Sequence, residues 1–539
     1  MKLDKSLIQD LIIDPRFKAL FLTTLILVGL APLHAEESKP NILYIFTDDH
    51  SVRTLGCYLE TPDAYTWVKT PNIDQLAREG VRFTTCYTGA KCVPSRGTAL
   101  TGRLQGGYDR ETPYWTTKLR EQGYFTGMIG KWHWNVPRHG IAWDWSVVWP
   151  HYLGNSSEDG EESDYYVGQQ VSINGGPIQP LGGYSTDRYV DYTLEFLKER
   201  AADKSRPWYL WLCFSGVHGP YTPADRHLKE YLNAPATKIP VDIFGPRPEK
   251  PDYDVHFSRW KQGQGNEPTE KNRSLDSWVK QYNQAVCALD EGVGRIMKAL
   301  RENGQLENTI VIFTADQGYA WGQHGFSDKI APYDANLLAP LIVVNPKRYP
   351  QGAVCAQPVS GMDIIATIHK LTGLENSPTD GRDFSALLTN PKETAWTDQP
   401  LLQMHTGSKF YGDSSIVDGL KKAQKSGDWS RFIAENKSGI RSWLMMRDGK
   451  YKYVRYLYAD YIEELYDLEA DPLELTNLAI RKVNHELLAT MRTKLLTAFV
   501  ARGATYSELL PTPKILDEPP LASAVPQQPP TKKKKKDKS

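Results

Sequence analysis

The sequence KCVPSRGTALTGR occupies residues 91–103 and brings a thiol, a proline and two guanidinium groups close together. Pro94 suits the first helical position, because the N–H that proline lacks would have no partner there. Cys92 would then precede a helix N-terminus, where backbone N–H groups and the helix dipole favour an anion. Arg96 and Arg103 add fixed positive charges whose fork geometry fits a tetrahedral oxyanion. The stretch therefore predicts a nucleophile beside an anion-binding site.

The longer pattern around Cys92 decides its interpretation, since a lone cysteine before a helix is more often an ordinary buried thiol. Residues 92–96 read C-x-P-S-R, and residues 100–103 read LTGR. This pattern resembles the signature of the type I sulfatases, in which the cysteine is oxidised after synthesis to formylglycine. The resemblance implies that Cys92 is the modified residue and that a formylglycine-generating enzyme is a partner of this chain.

The composition of the 539-residue chain is that of an ordinary folded protein without bulk charge. Lys and Arg together number 64, as do Asp and Glu, so the formal net charge is zero. Such a balance predicts no general attraction to nucleic acid or to a charged membrane surface. The six cysteines are too few for a disulfide framework in so long a chain. Any anion-binding character must therefore be local.

The first 35 residues are typical of an export signal. Basic residues precede an apolar run at 19–33, and Ala35 offers a small side chain for cleavage. The run is short for a membrane span, and no comparable run follows it. We expect cleavage after Ala35, export to the periplasm or the medium, and no integral span in the mature protein. An uncleaved membrane anchor is the alternative.

Short apolar runs alternate with helical patterns along most of the chain. The apolar runs are bounded by turn residues, as expected for strands buried on both faces, and lie at 41–46, 124–129, 209–214 and 309–313. Helical periodicity is found at 73–79, 114–122, 189–200 and 278–302. This alternation predicts a parallel α/β sheet. Polar residues follow all four runs, at the strand ends where ligand groups gather in such sheets.

The remaining segments are less regular. Residues 143–184 and 235–272 show little periodicity and are predicted to be long loops, which either shape substrate access or cover the surface. Strands are predicted at 443–447, 451–456 and 464–467, with a hairpin turn at Asp448-Gly449, and helices at 362–371 and 484–501. The expected domains are a signal peptide (1–35), a catalytic domain (36–400), a C-terminal subdomain (401–510) and a disordered Pro- and Lys-rich tail (511–539).

The resemblance to sulfatases also implies a fold. The family has an α/β, alkaline-phosphatase-like architecture, in which helices enclose a mixed and mostly parallel sheet. Its smaller C-terminal subdomain is an antiparallel sheet with a helix packed on it. The segment ELYDLEADPLELTNLA, at 464–479, resembles the closing segment of that family.

Acidic residues at the ends of two predicted strands indicate a metal site. Asp48, Asp49 and Asp316, with the amide of Gln317, offer an oxygen-only set suited to a hard divalent cation. Zinc is disfavoured because neither Cys nor His dominates the set. A strand-end turn or helix cap is the alternative for the aspartate pair. In sulfatases the matching positions, including that of Cys92, bind one Ca²⁺ rather than Mg²⁺, often with Asn at the position of Gln317.

Two further motifs resemble those of sulfatases and imply roles for three side chains, to which the resemblance adds Lys329 in HGFSDK and Arg96 in the Cys92 motif. Lys131 and His133 lie in a G-K-W-H string, and His218 opens an H-x-P-x-x-P segment. By resemblance, Lys131 binds a sulfate oxygen and His133 hydrogen-bonds the hydrated aldehyde. Lys329 bridges sulfate and leaving group, Arg96 neutralises the sulfuryl oxygens, and His218 protonates the leaving alkoxide. Imidazole titrates near neutrality and can supply that proton. Taken singly, a lysine or histidine after a strand is more often an ordinary surface residue.

The resemblance implies a hydrolase that cleaves a sulfate monoester with a formylglycine nucleophile and a divalent cation. A hydrated aldehyde can expel sulfate by collapse, whereas an unmodified thiol could not release its adduct in this way. The alternatives are a phosphomonoester or phosphonate hydrolase of the same superfamily and a non-catalytic binder of sulfated glycans. A sulfated carbohydrate is the expected substrate, because several aromatic side chains suit sugar stacking, although they equally suit core packing. These side chains are Trp143, Trp145, Trp149, Tyr152, Tyr165 and Tyr166.

Overall fold

The structure is a computed structural model that describes residues 39–134, 143–151, 165–396, 398–407, 410–435 and 438–514. The expected signal peptide at 1–35 and most of the expected tail at 511–539 lie outside these described residues. No helix within them is both long and apolar enough to cross a bilayer. All six cysteines are described, and each is a free thiol. The expected domain boundaries remain predictions.

Within the described residues, a ten-stranded sheet forms the centre of the fold. Its strands are β1 (Asn41–Thr47), β2 (Val81–Phe83), β3 (Phe125–Lys131), β4 (Trp145–Trp149), β5 (Gln170–Ile173), β6 (Ile178–Pro180), β7 (Trp208–Cys213), β8 (Thr309–Ala315), β9 (Leu341–Val344) and β10 (Ala353–Cys355). They lie in the order β10-β2-β9-β8-β1-β7-β3-β4-β5-β6. The consecutive strands from β8 to β4 are parallel, whereas β9, β5 and β6 pair in antiparallel fashion. The four predicted strands are therefore neighbours whose carboxyl ends share one edge.

Helices cover both faces of this sheet. The α-helices of the described residues are α1 (Pro71–Glu79), α2 (Cys92–Thr101), α3 (Trp115–Glu121), α4 (Ser185–Ala202), α5 (Asp252–Val255), α6 (Leu275–Glu302), α7 (Asp334–Leu337), α8 (Gly361–Thr372), α9 (Ser385–Thr389), α10 (Asp413–Ser426) and α11 (His485–Val500), of which α10 and α11 pack with the second sheet described below. Successive side chains of a strand point to opposite faces. Leu43 and Ile45 of β1 therefore pack with α1, α4 and α6, while Ile42 and Tyr44 pack with α2, α3 and α8. The two layers make the sheet interior to the domain.

A second, antiparallel sheet follows in the chain. Its strands, adjacent in sequence order, are β11 (Leu401–His405), β12 (Trp443–Asp448), β13 (Tyr451–Tyr456) and β14 (Glu464–Asp467). Asp448 pairs with Tyr451, so the predicted hairpin turn is formed by the two residues between them. Leu488 and Met491 of α11 share a hydrophobic core with β12. The predicted mixed sheet between helices, with a smaller antiparallel sheet, is confirmed.

The prediction of continuous loops at 143–184 is wrong for β4, β5 and β6, which extend one edge of the central sheet. The sequence of β4, WSVVW, is too short and too aromatic for its periodicity to separate a strand from a loop. Pairing with β3 makes this segment a strand, because strand preference depends on cross-strand packing. Most aromatic side chains of this region are consequently core residues and give no support to sugar stacking. Those described and buried are Trp143, Trp149, Tyr165 and Tyr166, whereas Tyr152 lies outside the described residues.

Outside the two main sheets, the strands of the described segments are two or three residues long. They are Cys86–Tyr87, Val359–Ser360, Lys261–Gln262, Pro268–Glu270, Arg273–Ser274, Ile433–Glu435 and Ile440–Arg441. The region at 235–272, predicted to be a loop, contains only α5, a 3₁₀ helix at Gln264–Asn266 and such short strands among its regular elements.

Gly130, directly before Lys131, allows β3 to approach β7 closely. Its φ is +102°, and a Cβ there would lie 1.9 Å from the carbonyl oxygen of Cys213. Gly123 has a similar φ of +90°, but a Cβ there would meet no atom within 4 Å. We expect Gly130→Ala to lower the free energy of unfolding by ~3 kcal/mol or more, and Gly123→Ala by ~1 kcal/mol. Denaturant unfolding measures both, and equal losses would contradict the packing argument.

Candidate active site

The carboxyl ends of β1 and β8 bring the three predicted aspartates together. Asp48 and Asp49 follow β1, and Asp316 follows β8, its parallel neighbour. Backbone hydrogen bonds continue the sheet past the strand ends: Asp316 N–H donates to Thr47 O at 2.9 Å, and Asp48 N–H donates to Gly216 O at 3.0 Å. Asp49 and Asp316, separated by 267 residues in sequence, are linked by a 3.0 Å hydrogen bond from Asp49 N–H to Asp316 Oδ1.

Cys92 is buried among these acids at the first residue of α2. Its Sγ lies 3.2 Å from Asp48 Oδ1 and 4.0 Å from Asp49 Oδ1. The ligand atoms of Cys92 and all three aspartates lie within 4.8 Å of one another, which makes them a candidate metal site. The helix starts earlier than predicted, with Pro94 at its third position. Proline is tolerated there because the first four helical N–H groups lack intrahelical partners.

Three buried cationic side chains balance the three carboxylates. The ion pairs are Lys131 with Asp48, Lys329 with Asp49 and Arg96 with Asp316. Lys329 Nζ lies 2.6 and 2.8 Å from the two carboxylate oxygens of Asp49, and 3.0 Å from Cys92 Sγ. Arg96 also donates to the carbonyl oxygen of Lys131 at 2.7 Å. The charge-assisted pairs hold these groups around the thiol.

The two predicted histidines approach the cluster from different sides. His218 follows β7, and its Nε2 lies 3.6 Å from Asp49 Oδ2. Its Nδ1 donates to Gly219 O at 2.8 Å, because a carbonyl oxygen can only accept. His133 follows β3 and stacks on His151, with ring centroids 4.2 Å apart. His133 therefore lies in an aromatic layer beside the site.

Gln317 occupies the predicted ligand position next to Asp316. Its amide donates to Asp49 Oδ1, and its Nε2 lies 3.3 Å from Cys92 Sγ. A half-turn of the amide exchanges nitrogen and oxygen, so Gln317 can present its oxygen to a cation from the same place. The side chain of Gln317, one methylene longer than that of the asparagine often found at this position in sulfatases, thus reaches the cluster.

Burial and charge set the protonation of this cluster. Burial raises the pKa of Asp48, but the surrounding positive charges, of which Lys131 is the strongest, together outweigh it and hold that pKa well below its usual range. Burial and the charge of Asp48 raise the pKa of Asp316 to about 8. Burial, with the charges of Asp316 and Asp48, raises the pKa of the Cys92 thiol far above its usual value. Unmodified Cys92 is therefore held as a thiol and not as the nucleophilic thiolate.

Arg103 and His324 do not take part in this arrangement. Arg103 lies beyond the end of the ten-residue helix α2, about 15 Å along its axis from Cys92. Its guanidinium is 3.9 Å from Asp380, so the prediction that it contributes to the anion site is wrong. His324, which lies in the same segment as Lys329 and could have been a neighbour of the site, pairs instead with Asp242 at 2.8 Å.

Two residues at the site, Tyr282 and His151, were not predicted to belong to it, and Tyr165 was expected only to stack on a sugar or to pack in the core. The hydroxyl of Tyr282 donates to the backbone oxygen of Asp49 at 2.5 Å. Tyr165 contacts both His218 and His151, and His151 lies two residues after β4. Recognition of β4 as a strand would have indicated His151, since it is the polar residue past the carboxyl end. Nothing in the sequence singles out Tyr282.

Comparisons with known proteins agree with this geometry. The Sulfatase family profile matches residues 40–374. The N-acetylglucosamine-6-O-sulfatase of Bacteroides thetaiotaomicron is 26% identical over 533 residues, covering 86% of this chain and 87% of that protein. The choline-sulfatase of Rhizobium meliloti is 25% identical, with 82% of each chain covered. A solved structure in complex with its substrate, D-glucosamine-2-N,6-O-disulfate, has a TM-score of 0.69 at 21% identity and covers 87% of this chain and 98% of its own.

The matched region spans well over half of the chain and contains Cys92, the three aspartates and their cationic partners. The structural match extends over the central sheet and into the C-terminal part, which confirms the predicted alkaline-phosphatase-like α/β fold. The chain therefore belongs to the sulfatase family and is a sulfuric ester hydrolase.

Proposed function

We propose that this sulfatase hydrolyses a sulfate monoester of a carbohydrate, with the formylglycine form of Cys92 as nucleophile and one Ca²⁺ as metal. The observation that carries the proposal is the position of Cys92 Sγ, which lies 3.2 Å from Asp48 and 3.0 Å from Lys329. A group at this position faces both the candidate ligands of the metal ion and the ammonium group of Lys329, which is suited to bind a sulfuryl oxygen.

The donor set supports a hard divalent cation. Asp48, Asp49 and Asp316 offer carboxylate oxygens, and Gln317 offers an amide oxygen within reach of the same place. Ca²⁺ accepts such oxygen ligands in irregular geometry, whereas Mg²⁺ demands a near-ideal octahedron. When bound, the cation would activate the nucleophile and neutralise charge on the sulfuryl oxygens. Because Lys131, Lys329 and Arg96 already lie beside these acids, a bound cation would give the site surplus positive charge that suits an anionic ester.

The environment of Cys92 supports its conversion to the aldehyde. The thiol is held protonated among carboxylates, which makes a thiolate mechanism unfavourable. The hydrated aldehyde would supply two hydroxyl groups, one to attack sulfur and one to release sulfate by collapse.

The cationic side chains support recognition of the sulfate group. Lys329 lies against both Asp49 and the reacting position, and Lys131 lies against Asp48. Both ammonium groups would bind sulfuryl oxygens, and Arg96, held by Asp316, would add positive charge behind them. These donors are fixed before substrate arrives, and fixed electrostatics of this kind often supply the largest share of catalysis.

His218 is suited to protonate the leaving alkoxide. Its side chain is 18% exposed, whereas the aspartates and Lys131 are almost completely buried, so it faces the open side of the site. With Nδ1 donating to Gly219, the Nε2 atom is directed towards the cluster. General acid catalysis of this kind contributes roughly 10²- to 10⁴-fold.

The substrate class rests on the relatives. The N-acetylglucosamine-6-O-sulfatase is named for a sulfated glucosamine, the solved structure holds one as its substrate, and both matches cover most of this chain. The choline-sulfatase is almost as similar in sequence, so identity alone does not select the leaving alcohol. Amino-sugar 6-sulfates of the glycosaminoglycan type are the first choice. Export, as predicted from residues 1–35, would give the enzyme access to such polymers.

Turnover of matched sulfate and phosphate esters tests the proposal. We expect hydrolysis of 4-nitrophenyl sulfate and N-acetylglucosamine 6-sulfate, loss of both activities with a chelator, and recovery with Ca²⁺. Preference for 4-nitrophenyl phosphate would favour a phosphohydrolase. Binding of sulfated glycans without any turnover would favour a non-catalytic binder. Good aryl sulfate turnover without release from any sulfated sugar would contradict the carbohydrate assignment.

A further inference from the structure

Tyr165 joins three of the functional side chains. It is 6% exposed and contacts His218, Lys131 and His151. Its ring lies on the imidazole of His218, with centroids 4.1 Å apart and planes inclined by only 6°. Such a parallel stack restricts rotation of the imidazole out of its plane.

The backbone of Tyr165 is fixed to the same frame as His218. Its carbonyl oxygen accepts hydrogen bonds from Ser215 Oγ at 2.8 Å, Ser185 Oγ at 2.9 Å and Gln169 Nε2 at 2.8 Å. Ser215 lies three residues before His218, in the segment that follows β7. Tyr166, the next residue, donates its hydroxyl to the backbone oxygen of His218 at 2.7 Å. The two tyrosines thus hold both the ring and the main chain of the histidine.

The hydroxyl of Tyr165 connects Lys131 to His151. An ammonium group can only donate, so the phenol oxygen accepts from Lys131 Nζ at 3.2 Å. The phenol O–H is then free to donate to His151 Nε2, 2.6 Å away. His151 is suited to accept it, because burial and the charge of Lys131 lower its pKa to about 2 and keep it neutral. Lys131 is therefore held between Asp48 and this phenol.

We propose that Tyr165 is a positioning residue of the sulfatase reaction, whose ring orients His218 for proton transfer and whose hydroxyl orients Lys131 for sulfate binding. The inference rests on the proposed role of His218 as proton donor. The two parts of the side chain have separable consequences. Misorientation of His218 affects only esters whose leaving group needs a proton, whereas misplacement of Lys131 affects all sulfate esters alike.

A pair of aryl sulfates that differ in leaving group separates these effects. Phenyl sulfate has a basic leaving group that needs protonation, whereas 4-nitrophenolate departs without it. We expect Tyr165→Leu to lower the ratio of kcat/KM for phenyl sulfate to that for 4-nitrophenyl sulfate by ~10-fold or more. Tyr165→Phe keeps the ring, so we expect both kcat/KM values to fall by a similar factor and the ratio to stay unchanged. Because both substrates are aryl esters, the test does not depend on the natural sugar.

The reference variant is His218→Ala, for which the same ratio should fall at least as far. An unchanged ratio in His218→Ala would overturn the proton-donor role itself. A fall in His218→Ala without a fall in Tyr165→Leu would overturn the positioning role of Tyr165 alone. In the double variant, Tyr165→Leu should not lower the ratio further, and an additional fall would likewise contradict the proposal. If Tyr165→Leu does not fold, Tyr165→Met replaces it in every comparison.

Tyr349→Leu is the matched control for loss of a buried aromatic ring. Tyr349 is 7% exposed and packs in the core on the face of α3 and α8. We expect this substitution to lower the thermal midpoint while leaving the substrate ratio unchanged. A similar change of ratio in Tyr349→Leu would show that the ratio reports general destabilisation.

Discussion

Replacing Cys92 with alanine is expected to abolish sulfate ester hydrolysis while the fold is retained. Alanine cannot be oxidised to an aldehyde, so the site loses its nucleophile although the cationic side chains remain. Loss of a nucleophile in enzymes with covalent intermediates typically costs at least ~10⁴-fold in kcat. Steady-state turnover of an aryl sulfate measures the loss, and circular dichroism with the thermal midpoint reports on the fold.

Cys355→Ala provides a matched control. Cys355 is also fully buried, on strand β10, and takes no part in the cluster. The Cys355→Ala variant should keep kcat within a small factor of that of the unsubstituted protein. Appreciable turnover by Cys92→Ala would contradict the assignment of the nucleophile. Peptide mass spectrometry of active protein provides a second check, since detection of only the intact thiol at Cys92 would exclude formylglycine.

Asp49→Asn is expected to remove the response of the protein to Ca²⁺ together with most of its activity. Asn is close in shape and tolerates the φ of +54° at this position. The substitution removes one negative charge from the candidate cation site and leaves Lys329 without its ion-pair partner. Loss of outer partners of metal ligands costs roughly 10- to 100-fold in affinity, and loss of the charge on a direct ligand should cost more.

Thermal unfolding with increasing Ca²⁺ measures this effect without reference to turnover. A cation that binds only the folded state raises the midpoint as its concentration exceeds the dissociation constant. We expect such a rise in the unsubstituted protein and a much smaller one in Asp49→Asn. Asp254→Asn is the control, because Asp254 is equally buried but pairs with Arg247 away from the cluster. An unchanged Ca²⁺ response in Asp49→Asn would contradict the metal assignment.

The central strands could be predicted because each carries its signal within a few residues. The strands at 41–46 and 309–313 are continuous apolar runs followed at once by aspartates. Burial on both faces requires such runs, and parallel pairing requires that their polar ends meet at one edge. The site residues Asp48 and Asp316 followed from that argument, and the structure places them together.

The edge of the sheet could not be predicted in the same way. β4 is short and rich in aromatic residues. Whether this segment forms a strand depends on its pairing with β3, and the residues within the segment carry no information about that pairing. The failure to predict β4 also hid His151 and gave Tyr165 the wrong role. Arg103 was misassigned for a related reason. It is close to Cys92 in sequence, but a ten-residue helix places it far from the thiol in space.

The sequence by itself determined the family, the acidic strand ends and the alternation of the central strands with helices. These are local properties, set by motif spacing and by the periodicity of burial. Only the tertiary structure decided that three lysine or arginine side chains balance three carboxylates around Cys92, and that Tyr165 lies flat on His218. Such contacts join residues that are distant in sequence, and they exist only because strand pairing brings separate segments to one edge of the sheet.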